Sequence, residues 1–104
     1  MSRVRLRVSD RVGTLESIHY RCSVRLGRHP GNDCQLADPG VARFQLELAW
    51  RDERLVLRSL ERCAGVRLRL GDRVHPLVGS ELTTTAREVD LAIGTTVVRV
   101  AIER

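Results

Sequence analysis

With 104 residues, 42% of them hydrophobic and 30% charged, the chain is long enough for one hydrophobic core and too short for two. Its net charge of +5 is carried by Arg alone; the absence of Lys excludes Schiff-base and Lys-nucleophile chemistry and makes every side-chain cation other than His a planar fork suited to carboxylate or phosphate. No apolar run approaches the roughly 20 residues of a membrane helix and no apolar signal segment follows Met1, so the chain as given is expected to be soluble and cytoplasmic.

Period-two alternation runs from end to end. Val4, Leu6 and Val8 alternate with Arg3, Arg5 and Arg7, and Cys22, Val24 and Leu26 repeat the pattern. Phe44, Leu46, Leu48 and Trp50 follow, then Leu55 and Leu57, then Val66, Leu68 and Leu70. Val89, Leu91 and Ile93, and lastly Val98, Val100 and Ile102, complete the series. This spacing predicts half-buried strands. Aromatic residues are only 3%, so the core is expected to consist of Val, Leu and Ile, which suits sheets better than a helical bundle. Turn signals such as Pro30-Gly31, Asp38-Pro39-Gly40, Arg51-Asp52, Gly71-Asp72 and Gly94-Thr95 separate the runs. Many short strands so punctuated predict an all-β, antiparallel β-sandwich. Thr84-Thr85-Ala86-Arg87-Glu88 reads as a loop. With no linker or repeat, residues 1–104 are read as a single domain. Because the last alternation runs almost to Arg104, that domain is expected to be a piece of something longer.

Residues with possible chemistry mostly have plain readings. Cys22, Cys34 and Cys63 are odd in number and lack a C-x-x-C pair, so buried or half-buried reduced thiols are expected. His19, Cys22, His29 and Cys34 show no zinc-ligand spacing. There is no nucleophile elbow and no Gly-Lys phosphate loop, so no enzyme, metal or cofactor is expected. Asp33 and Asp38 read as caps of their own loop backbone. Arg3, Arg5, Arg7, Arg67 and Arg69 read as a solvated outer sheet face, with a basic surface for an acidic partner, anionic lipid or nucleic acid as the sharper alternative. Scarce aromatics argue against nucleic acid. Trp50 is expected half-buried at the sandwich rim.

From Gly27-Arg28 through Asn32-Asp33-Cys34-Gln35-Leu36-Ala37-Asp38 and Val41-Ala42-Arg43-Phe44-Gln45-Leu46, the chain resembles the forkhead-associated (FHA) domain, a phosphothreonine-reading β-sandwich. The likeness extends over roughly residues 24–102. It implies an FHA-like sandwich whose ligand loops include Arg28, His29, Asn32, Ala42, Arg43, Arg62, Ala64 and Gly65. Arg28 and Arg43 match family arginines. Ala42 stands where the family has a phosphate-binding Ser, and Ala64 where it has an Asn that bonds the peptide backbone. Gln45 replaces a His that braces the loops from inside, and is expected to substitute only in part. A charge-assisted hydrogen bond is worth about 1.5–3 kcal/mol, so losing two weakens phosphopeptide binding by roughly tens- to thousands-fold.

Among FHA-like domains, Gly65-Val66-Arg67-Leu68-Arg69-Leu70-Gly71 and Leu77-Val78-Gly79-Ser80-Glu81-Leu82 resemble the cytoplasmic domain of the type III secretion inner-membrane ring protein. That likeness implies a phosphate-independent interaction domain on the cytoplasmic face of the bacterial inner membrane. It would join the ring to cytoplasmic export and sorting proteins, sit beside copies of itself, and reach the membrane only through a parent segment. Two alternatives stand. One is a phosphothreonine reader using Arg28 and Arg43 with Ser59 or Arg62 as helpers. The other is a basic module for acidic lipid or nucleic acid, whose binding would fall steeply with salt.

Overall fold

A computed structural model describes residues 3–60, 66–77 and 81–103. Among them are eleven strands: β1 (Arg3–Ser9), β2 (Thr14–His19), β3 (Ser23–Gly27), β4 (Cys34–Gln35), β5 (Leu46–Arg51), β6 (Arg54–Ser59), β7 (Val66–Leu70), β8 (Arg73–Leu77), β9 (Glu81–Thr84), β10 (Glu88–Ile93) and β11 (Thr96–Glu103). They form a six-stranded sheet, β2-β1-β11-β10-β7-β8, and a five-stranded sheet, β4-β3-β5-β6-β9. Every pairing is antiparallel except β3 with β4. The predicted sandwich is therefore the observed one.

Alternation fixes which face is buried. Val4 and Leu6 on β1, Val98 and Val100 on β11, Val89, Leu91 and Ile93 on β10, and Val66 and Leu68 on β7 point inward from the larger sheet. Val24, Leu26, Leu46, Leu48, Leu55 and Leu57 meet them from the smaller one. Slipping any of these strands by one residue would turn its apolar side to water, so burial sets the register.

Four local expectations need correction. Cys22 precedes β3 and is exposed rather than buried. Phe44 is not part of a strand, because β5 begins pairing only at Leu46 opposite Leu26; its ring stacks on His29 instead, with centroids 4.9 Å apart. Trp50 is buried rather than half-buried, paired with Leu55 and donating its backbone N–H to the Cys22 carbonyl at 3.0 Å. Thr84 closes β9 and Glu88 opens β10, so the loop there is shorter than predicted.

The strand directions gather the turns at residues 10–13, 28–33, 36–45 and 94–95 at one end of the sandwich. Arg3 and Glu103 pair at the opposite end, where β1 begins and β11 finishes.

Candidate binding site

The loop end is built by backbone contacts that leave no room for a side chain at Gly27. A Cβ there would lie 2.1 Å from the Arg43 carbonyl oxygen. That closeness lets Arg28 N donate to the Ala42 carbonyl at 3.0 Å and His29 N to the Arg43 carbonyl at 3.1 Å. The loops at residues 28–33 and 36–45 are thus laced together directly beyond β3. Arg28 Nε adds a bond to the Val41 carbonyl at 2.5 Å.

Asn32 sits between these loops, 8% exposed. Its Nδ2 donates to the His29 carbonyl at 2.8 Å and the Arg43 carbonyl at 2.7 Å, so the amide nitrogen is spent on the scaffold. Asp33 caps the Arg25 N–H at 2.9 Å, and Gln35 Nε2 donates to the Arg28 carbonyl at 3.0 Å. Gln45 is fully buried, and its Oε1 accepts from Ala42 N at 2.8 Å. The amide therefore braces the loop from inside, a fuller role than its replacement of a family His implied.

Asp38 holds the β4–β5 loop against the β10–β11 turn. Its Oδ1 accepts from Gly40 N at 2.8 Å, as a cap of its own loop should. Its Oδ2 accepts from Thr95 N at 2.9 Å, Thr95 Oγ1 at 2.6 Å and Thr96 Oγ1 at 3.1 Å, a tie across 57 residues that no local pattern reveals. The Thr95 hydroxyl, followed by the backbone N–H groups of Gly40 and Thr95, holds the carboxyl far below the usual carboxylate range. A depressed folded value means that the tie stabilises above the ordinary carboxylate pKa and is lost as pH falls toward the folded one. Asp38→Asn is therefore expected to lower the melting temperature at pH 7 and to flatten its decline below about pH 4. Parallel melting-temperature profiles for the two proteins would contradict this assignment.

Of the residues predicted to form the site, Arg28, His29, Asn32, Ala42 and Arg43 converge on this end, with Arg28, His29 and Arg43 exposed. Arg62, Ala64 and Gly65 lie outside the described residues. Beyond the Arg28 bond to Val41, neither the Arg28 nor the Arg43 guanidinium has a hydrogen-bond or ion-pair partner among the described residues. The outer sheet face differs. Arg5 lies 2.8 Å from Glu103, Arg7 4.0 Å from Glu16, and Arg99 3.0 Å from Asp90. Much of the basic strip is thus matched by acids. Burial, and then the Asp33 charge, raises the Cys34 thiol pKa and so disfavours a reactive thiolate.

The FHA domain model matches residues 24–97. No curated protein matches the sequence. The chain is similar to the FHA domain of CT664 from Chlamydia trachomatis, at 20% identity over 95% of this chain and 96% of that one, with a TM-score of 0.76. It is also similar to an FHA domain solved in work on phosphothreonine-dependent FHA interactions, at 22% identity over 98% of each chain and a TM-score of 0.75. The FhaA FHA domain, solved in complex with the intracellular domain of Rv3910, is 22% identical over 96% of this chain and 99% of that one, with a TM-score of 0.71. At these identities the structural likeness concerns the fold. The family match spans most of the residues that build the sandwich and its loops, and the chain belongs to the FHA domain family of protein–protein interaction modules.

Proposed function

We propose that this FHA domain binds protein partners without a phosphate, through the loops at residues 29–33 and 39–43 together with residues 61–65, and that it catalyses no reaction. Ala42 carries the reading. Its side chain is a methyl, and its backbone N–H is already bonded to Gln45 Oε1 at 2.8 Å. The position where the family presents a phosphate donor offers none. The Asn32 amide nitrogen and Arg28 Nε are committed to backbone carbonyls as well. What remains for a ligand is the outer edge of the Arg28 guanidinium, the Arg43 side chain and the His29–Phe44 stack, a surface suited to carboxylates and flat apolar groups.

The setting we infer is the cytoplasmic face of a type III secretion inner-membrane ring, with the domain part of a longer membrane-anchored protein. There it joins the ring to cytoplasmic export and sorting proteins and stands beside copies of itself. This rests on the likeness of residues 65–71 and 77–82 to that group and on the loss of the phosphate donor.

Calorimetric titration with a degenerate phosphothreonine peptide library tests the chemistry. No detectable binding is expected, and Ala42→Ser is expected to raise affinity by roughly tenfold or more if the hydroxyl is the missing contact. Micromolar binding by the unaltered protein, abolished by Arg28→Ala, would instead make the domain a phosphothreonine reader. Photocrosslinking from position 29 in the parent protein tests the setting, which fails if no secretion component is captured.

A further inference from the structure

The N-terminal hairpin carries four exposed large hydrophobic residues, of which Val12 lies in the turn at the loop end while Leu15 and Ile18 lie along β2 and Tyr20 follows it. Val12 is 92% exposed, Leu15 79%, Tyr20 70% and Ile18 40%. Leu15 pairs with Val8 and Ile18 with Arg5, so they occupy opposite faces of β2. β2 is also the edge of the six-stranded sheet, and no described residue pairs with its outer backbone groups.

The other edges are guarded. β8 contains Pro76, which has no N–H to donate; β4 has only two residues; and β9 has four without an exposed large apolar side chain. β2 has six residues, no Pro and no Arg. β8 also exposes one large apolar side chain, Val74, but Pro76 breaks its row of donors, whereas β2 combines an edge uninterrupted by Pro with two exposed apolar side chains, Leu15 and Ile18.

We propose that β2 is a docking edge, which takes an extended segment of a partner protein as an added strand, with alternating apolar side chains and acidic residues at both ends. The charge argument is direct. Glu16, the only acid on β2, is offset by Arg5 at 3.7 Å and Arg7 at 4.0 Å. Arg11 and Arg21 flank the strand, exposed and without an ion-pair partner among the described residues. Backbone bonds would supply affinity, and the flanking arginines would select acidic ends.

A second copy fits less well. Antiparallel self-pairing centred on Glu16 opposes the two Glu16 carboxylates and sets Arg11 against Arg21. Centred on Ser17, it leaves Arg21 opposite Gly13, two residues from Arg11 of the other copy. Both arrangements bring like charges together. A lipid surface fits less well too, because hydrocarbon cannot satisfy the donors and acceptors of an open strand edge.

The test uses a short blocked peptide with alternating Val and Thr, flanked by Glu at both ends, titrated into the full 104-residue chain. Amide exchange is followed residue by residue. Slowed exchange across β2 is expected, with affinity about tenfold weaker for a Lys-flanked peptide and for Leu15→Lys with Ile18→Lys. Both side chains are exposed, so the double variant should keep its fold, which its melting temperature checks. Equal affinity for Glu- and Lys-flanked peptides would overturn the proposal, as would no binding or protection confined to residues 28–43. Dimerisation through β2 without peptide binding, or binding only to phosphatidylglycerol vesicles, would also overturn it.

Discussion

Gly27→Ala is expected to cost about 3 kcal/mol of stability, the upper end for overpacking a closely fitted site. The added Cβ would meet the Arg43 carbonyl oxygen at 2.1 Å, its carbon at 2.7 Å and Asn32 Nδ2 at 2.9 Å. Two of these atoms are backbone, so a rotamer change cannot relieve the contact. Relief requires the loop at residues 41–45 to move away from β3. That motion would open the bonds from Arg28 N to Ala42 and from His29 N to Arg43. For a domain of this size the loss is a fall in melting temperature of about 12 °C or more. Urea unfolding measures it directly. A cost below about 1 kcal/mol would mean that the loop yields easily and that the recognition end is not held by this contact.

Gln45→Ala is expected to cost about 2–4 kcal/mol, for two separable reasons. The residue is fully buried, so truncation leaves a cavity beneath the loop that precedes β5. Its Oε1 also accepts from the part-buried Ala42 N, which would lose its partner. Gln45→Met keeps most of the volume and removes the acceptor, so its expected cost is smaller, about 1–3 kcal/mol. Hydrogen exchange at the Ala42 amide should accelerate in both variants. If Gln45→Met matches the unaltered protein in stability and exchange, the amide is only a space-filler, and the brace must come from elsewhere.

The strands that face the core on one side were legible because water writes a period-two pattern on them. Val24 and Leu26, Leu46 and Leu48, and Val98 and Val100 all fall as alternation predicts. β2 escaped this reading for the same physical reason. As an edge strand with Leu15 and Ile18 exposed on opposite faces, it has no buried side to produce a pattern. The site was legible only in part. Gly27, Arg28, Asn32 and Arg43 are close in sequence and in space, so family likeness brought them together. The role of Asp38 was half visible: its cap on Gly40 is local, whereas its partners Thr95 and Thr96 arrive only through tertiary structure. Gln45 looked like a weak stand-in because the sequence does not reveal that its amide meets a backbone N–H in a fully buried position.

The pairing of Arg3 with Glu103 gives the domain a polarity. Its first and last described strand residues are neighbours, and both lie at the end away from residues 28–45. A linker fused before β1 or after β11 would therefore leave the loops at residues 28–45 pointing outward, like the head of a pin whose shank is held. Immobilisation through either terminus should present the same surface to a partner, and the two orientations should give the same binding curve. The β2 edge runs along the shank, with its Arg11 end beside the head and its Arg21 end remote from it.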